Sequence, residues 1–388
     1  MNDMTGRNTT TSDLPLMPGV RIKKYGLRYK LLFSACCFCV TLMMIEFGGR
    51  LLLGPVPPNQ FPGLNPNEIE DEELLWRHKP GYGGGGQDGP INDLGFRGQP
   101  ITLAKPKGTY RILSLGESTT YGYGVEFNET YSYVLERSLR KEKPIQVING
   151  GVRVWSTYQS VRFLDREIER LEPDMVLFYH EVNDFLPTTF RGLKVHGAGL
   201  NDVELAKHMQ RRSWFRRLAS QSRVVTEVRL GWARSLATAT EQELAKKHDR
   251  TVLLVGALPY IDLPLVPPNV EKPWLANESR LVRLPDPLRE KYIKDLIAIT
   301  GRQGVKLVIL HPSYPVSIPH QCILTRLADE NSVPIIEIED VINEHALVEG
   351  KTKDNYFLPN DVYHPNKYGH QVIANGIAQF LIEHGLLP

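Results

Sequence analysis

Five consecutive residues, Met175 to Tyr179, carry no charged or amide side chain. A strand apolar on both faces has to be covered on both, as an inner strand of a parallel sheet is. The flanking sequence agrees. Thr157 to Leu171 puts Val161, Leu164, Ile168 and Leu171 on one helical face. Upstream, Arg111 to Leu115 and Ile145 to Ile148 read as short strands, with a helix near Tyr131 to Leu139 between them. Downstream, Leu288 to Thr300 reads as a helix, Val305 to Leu310 and Val333 to Ile338 as strands, and Lys367 to Glu383 as a terminal helix. Alternation of this kind predicts an α/β fold, a doubly wound, flavodoxin-like parallel sheet flanked by helices. Its ligands should bind at the carboxyl ends of the strands.

A large insertion, about 186–286, interrupts the alternation. It holds a basic amphipathic stretch from Arg211 to Leu218 and a Pro-rich segment from Leu258 to Pro273. Thr251 to Val255 is too short for periodicity to choose between strand and helix. Arg211, Arg212, Arg216 and Arg217, interleaved with Trp214 and Phe215, suit either lipid headgroups, an acidic polymer or plain solvent.

The N-terminal region has a different character. Leu31 to Ile45 is uninterrupted apolar or small sequence, about 22 Å as a helix. Extension through Glu46 and Arg50 to Leu53 gives about 35 Å, enough for the roughly 30 Å hydrocarbon core. Glu46 and Arg50 are four apart and can pair. Arg21, Lys23, Lys24, Arg28 and Lys30 precede the run, whereas Glu68, Glu70, Asp71, Glu72 and Glu73 follow it. The positive-inside rule then predicts a cytoplasmic basic segment over 1–30 and a single transmembrane anchor over 31–53. The remainder would be exported from the cytoplasmic (inner) membrane to the periplasmic side. A long basic region and the lack of an A-x-A-like site argue against a cleaved signal peptide. Residues 54–105, rich in Pro, Gly and Asn, read as a stalk and lead-in to a domain over 106–388. The glycine run from Gly83 to Gly86 has no following Gly-Lys-Ser/Thr and is no phosphate cradle.

Charge and cysteines narrow the function. Lys and Arg number 46 against 44 Asp and Glu, so no field strong enough to select nucleic acid is expected. Cys36, Cys37 and Cys39 fall in the apolar run and leave Cys322 alone downstream, so no disulfide forms within the exported part. No Cys/His spacing fits zinc, and no cofactor is expected.

Four short words remain, each at a strand end. Ser118 follows the first strand in Gly116-Glu117-Ser118-Thr119-Thr120; alone it reads as a helix cap. Thr120 stands where a G-x-S-x-G elbow needs Gly. Asn149-Gly150-Gly151 and Asn183-Asp184 follow two further strands, and alone they read as turn chemistry. Asp361-Val362-Tyr363-His364 precedes the last helix, where Asp361 alone reads as a cap. Together they supply what acyl transfer needs. A hydroxyl requires a base, the base a carboxylate to fix its tautomer, and the oxyanion a set of N–H donors. His180, His311 and His370 read as packing or surface histidines.

In this order, Gly116-Glu117-Ser118, Gly151, Asn183-Asp184 and Asp361-x-x-His364 resemble the four blocks of the SGNH/GDSL hydrolases. The resemblance covers roughly 75–184 and 288–388, and Ile91 to Arg97 looks like the lead-in of bacterial exported members. It implies Ser118 as nucleophile, His364 as base and Asp361 as its orienting partner. The oxyanion would be held by the backbone N–H groups of Ser118 and Gly151 and the side chain of Asn183. The activity implied is hydrolysis of acyl or acetyl esters of carbohydrate or lipid through an acyl-enzyme. The same triad would serve an O-acyltransferase modifying an extracytoplasmic polysaccharide, and the fold alone would serve a non-catalytic glycan-binding scaffold. Two positions depart from the pattern. Glu117 replaces the frequent Asp, and Glu181 stands where the third block usually has Gly. The Glu181 carboxylate is expected to disfavour anionic substrates.

Overall fold

The computed structural model describes residues 26–54, 66–86, 89–140, 144–185, 201–210, 222–224, 282–312, 322–361 and 363–388. The stretches Arg211 to Leu218, Thr251 to Val255 and Leu258 to Pro273 lie outside the described residues. The chain divides into two compact units, residues 1–55 and 56–388.

The first unit contributes helix α1, Leu27–Leu53, of 27 residues and so about 40 Å long. Arg50 Nε pairs with Glu46 Oε1 at 2.7 Å, which satisfies both charges within the helix. None of its side chains is buried. By length and composition α1 is able to cross a membrane.

The second unit opens with an antiparallel hairpin, β1 (Glu68–Asp71) and β2 (Leu75–His78). The segment read as stalk and lead-in is thus partly built into the domain: Leu74, Leu75 and Trp76 are buried in its main core. The sheet that follows is wholly parallel. Its strands are β3 (Tyr110–Gly116), β4 (Ile145–Gly151), β5 (Met175–Tyr179), β6 (Lys306–His311) and β7 (Ile335–Glu337). They lie in the spatial order β4-β3-β5-β6-β7, the flavodoxin-like order expected.

Strand residues alternate between two cores, as the two-residue period of a pleated strand requires. Leu113, Leu115, Val176, Phe178, Leu307 and Ile309 pack on one face. Ile112, Met175, Leu177, Val308 and Leu310 pack on the other. Helices α4 (Thr157–Leu171), α6 (Asp286–Arg302) and α7 (Cys322–Glu330) cover the first face. Helices α3 (Tyr131–Leu139), α8 (Ile338–Glu349) and α9 (Lys367–Glu383) cover the second. The remaining helices are α2 (Ser118–Tyr121), a single turn after β3, and α5 (Asp202–Gln210), which adds Ala206 to the core on the first face.

Four strands differ in their bounds from the sequence reading. β3 covers Tyr110–Gly116, one residue longer at each end than Arg111 to Leu115. β4 runs on to Gly151, so Asn149 and Gly151 lie within the strand rather than after it. β6 covers Lys306–His311, one residue later than expected. The run from Val333 to Ile338 is a strand only over Ile335–Glu337, because Ile338 already starts α8.

The chain leaves β3 toward β4 on one side and returns to β5 on the other. That reversal is a topological switch point at the carboxyl end of β3, beside which Ser118 sits.

Candidate active site

The turn carrying Ser118 is made by close approach. A Cβ on Gly116 would lie 2.0 Å from Thr120 Oγ1 and 2.7 Å from the Tyr179 carbonyl oxygen. Glycine there lets β3 turn directly into α2, whose first residue is Ser118.

Ser118 Oγ lies 2.8 Å from His364 Nε2, and His364 Nδ1 lies 2.6 Å from Asp361 Oδ2. The other carboxylate oxygen, Asp361 Oδ1, accepts the backbone N–H groups of Tyr363 at 2.8 Å and His364 at 3.0 Å. Burial opposes the charge on Asp361, but the His364 imidazole and those N–H donors outweigh it and hold the carboxyl below its usual range. Asn366 fixes the loop, accepting from Tyr368 and Gly369 N–H as the N-cap of α9 and donating to the Phe357 carbonyl at 2.9 Å. The Tyr123 ring packs on His364 with centroids 4.7 Å apart, a contact with no sequence signal.

Two further strand ends border the Ser118 turn. Asn183 Nδ2 donates to the Trp155 carbonyl at 3.0 Å, and Asn183 N–H donates to Glu117 Oε2 at 3.3 Å. Glu117, buried beside Ser118, therefore also positions Asn183. The Gly151 N–H, expected as an oxyanion donor, instead donates to Asn149 Oδ1 at 3.0 Å. What Gly151 contributes is proximity: a Cβ there would lie 2.1 Å from Tyr121 N.

The turn after β4 supplies a residue that the sequence reading missed. Val152 N–H donates to Gly116 O at 3.1 Å, which lays the turn beside Ser118. Val154 then adopts φ 62°, a left-handed conformation rare for a β-branched residue. The N–H groups of Ser118 and Val154 have no hydrogen-bond acceptor among the described residues. A left-handed valine leaves no mark in composition or periodicity.

Behind Asn183 lies a buried ionic network. Arg289 Nη2 is 3.1 Å from Glu181 Oε1, and Arg289 Nε is 3.3 Å from Asp184 Oδ2. Asp184 also accepts Thr157 N–H and Thr157 Oγ1, both at 2.7 Å. His311 pairs with Glu337 on its far side, and burial alone would lower its pKa, but the carboxylates of Glu337 and Glu181 raise it. Glu181 is 0% exposed, so its carboxylate does not meet substrate and the expected repulsion of anionic esters is corrected. His180 and His370 are buried, bound to Ser160 Oγ and to Tyr131 N–H respectively. Among the described residues no His, Cys, Asp and Glu group is arranged to hold a metal ion.

No protein-family model and no curated protein matches the chain. Solved structures do. A protein described as lipolytic and of the G-D-S-L family, from Desulfitobacterium hafniense DCB-2, is 11% identical, with 69% of this chain and 98% of that one covered and a TM-score of 0.35. The lipase/acylhydrolase from Enterococcus faecalis is 12% identical, with 71% and 96% covered and a TM-score of 0.37. An acetylxylan esterase from Geobacillus stearothermophilus is 14% identical, with 71% and 94% covered and a TM-score of 0.34. The chain is thus similar to GDSL-type lipolytic proteins and esterases.

Proposed function

We propose that the protein is a serine esterase acting on acyl or acetyl esters of carbohydrate or lipid. The observation that carries this reading is the unbroken relay from Ser118 Oγ through His364 to Asp361, at 2.8 and 2.6 Å. Ser118 Oγ attacks the ester carbonyl as His364 Nε2 takes its proton. Asp361 holds the imidazole in the tautomer that presents Nε2 as acceptor and stabilises the imidazolium that forms. Collapse of the tetrahedral adduct expels the alcohol, which takes the proton from His364. Water then repeats the sequence on the acyl-Ser118 ester and releases the acid.

The oxyanion needs fixed donors. The N–H of Ser118 and the second hydrogen of Asn183 Nδ2 fill that role, with the Val154 N–H as the third donor in place of Gly151.

In the same reading α1 anchors the chain in the cytoplasmic membrane, with the end bearing Arg28 and Lys30 on the cytoplasmic side. An extracytoplasmic hydrolase domain follows over 106–388, with the β1–β2 hairpin of the preceding segment built into its core. The test is the full chain in detergent against Ser118→Ala, on p-nitrophenyl acetate and on acetylated glycans. Loss of turnover on substitution is expected, and equal activity in the two proteins would overturn the assignment.

A further inference from the structure

The turn from Val152 to Ser156 holds a conformation that its own sequence disfavours. Val154 at φ 62° is strained for a β-branched residue, and such strain persists only where the surroundings over-determine the backbone. Two buried residues from outside the sheet supply that constraint. Arg283 Nη1 donates to the Val154 carbonyl at 2.6 Å, and Asp202 Oδ2 accepts from Ser156 Oγ at 2.8 Å. The two grip each other through Arg283 Nε to Asp202 Oδ1 at 3.1 Å and Arg283 Nη2 to Asp202 Oδ2 at 2.7 Å. Both side chains are only 2% exposed. Their backbones are joined as well, Asp202 N–H donating to Arg283 O at 3.0 Å. Gln159 Oε1 completes the arrangement, accepting from Arg283 Nη2 at 2.9 Å and from Ser156 N–H at 2.9 Å.

We propose that the buried Asp202–Arg283 pair is a positioning clamp on the donor turn, holding Val154 left-handed so that its N–H meets the developing oxyanion. Arg283 holds the carbonyl side of Val154 while Asp202 holds Ser156 two residues on. The pair touches no reacting atom and acts through the turn. Asp202 heads α5 and Arg283 stands just before α6, so the clamp also ties residues on both sides of 211–221 and 225–281 to the donor turn. This inference rests on the esterase reading.

A clamp and a mere structural support differ in what a glycine does. Glycine adopts positive φ without strain, so it should recover much of the turn's geometry when the clamp is gone. With p-nitrophenyl acetate and the full chain, Arg283→Ala should lower kcat about 30- to 100-fold with KM within about twofold, the mark of an interaction made in the transition state. Adding Val154→Gly to Arg283→Ala should return about tenfold of that loss, a non-additive pair. Removal of one partner leaves a buried charge unpaired, so Asp202→Asn with Arg283→Gln is the companion variant, in which no lone charge remains. Circular dichroism melts establish which variants fold. Unchanged kcat in the folded variants, or a kcat loss that Val154→Gly does not relieve, would overturn the clamp. Unfolding of both clamp variants would assign the pair to stability alone and equally overturn it. Ser118→Ala, run alongside, reports separately: if it stays active, the esterase reading has failed, whatever the clamp variants do.

Discussion

Arg289 Nη2 sits 3.1 Å from Glu181 Oε1, with both side chains at most 1% exposed. A carboxylate that sequence alone would place at the mouth of the site therefore belongs to its foundation. Glu181→Gly would take away the carboxylate nearest Arg289 Nη2, and loss of one partner of a buried pair typically costs about 3 kcal/mol or more. Urea unfolding should show that loss. The ratio of kcat/KM for a succinate half-ester to that for a neutral acetate should stay constant, and a rise would return Glu181 to the substrate's surroundings.

Asp361→Asn keeps the shape of the loop but lets His364 present the wrong nitrogen. A drop in kcat of about 1,000- to 10,000-fold is expected at nearly unchanged KM. Steady-state kinetics on p-nitrophenyl acetate, with a melt to confirm folding, checks it.

Gly151→Ala places a methyl carbon against backbone that cannot swing aside, 2.1 Å from Tyr121 N and 2.5 Å from the Thr120 carbonyl carbon. Overpacking against main chain is expected to cost about 3 kcal/mol or more and to push α2, with Ser118, out of place. A melting temperature and activity both near those of the parent protein would contradict this account of Gly151.

Three buried histidines set an acid limit on stability. Burial lowers His180 and His370 to about 3 and His78 to about 4, from an ordinary 6.5. Above pH 6.5 they are neutral in both states and their contribution to stability is intact. As pH falls from 6.5 toward 3 to 4, the unfolded chain takes up protons that the native state refuses, and stability is lost. Melting temperature should therefore decline steadily from pH 6.5 to 4. His370→Asn, which keeps an acceptor for Tyr131 N–H, should make that decline shallower.

Carbonate washing checks α1. The intact protein should stay with the membrane pellet, and complete release would remove the anchor.

The sheet was legible because its signal is local. Met175–Tyr179, Tyr131–Leu139, Thr157–Leu171 and Lys367–Glu383 have the bounds read from pattern alone. The hairpin over Glu68–His78 was not, because charged and aromatic residues lie in a Pro/Gly-rich stretch and its burial comes from distant partners. Trp76 Nε1 donates to the Arg153 carbonyl at 3.2 Å, and Trp155 Nε1 donates to the Trp76 carbonyl at 2.9 Å. Helices α7 and α8 went unread, α8 because Ile335, Ile336 and Ile338 look like one continued strand. Within the site, Ser118, Asn183, Asp361 and His364 were visible as words at strand and loop ends. The turn after β4 was not, since Gly151 has the expected residue type while Val154 has the left-handed backbone and an N–H with no acceptor among the described residues.

Ser118 and His364 meet across 246 positions of chain. Synthesis runs from the amino end, so the Ser118 hydroxyl emerges from the ribosome long before the His364 imidazole exists. On the proposed esterase reading, a nascent or prematurely terminated chain that lacks His364 is inert, however well its first strands have formed. In that reading, completion of the loop bearing Asp361 and His364 is what arms the protein.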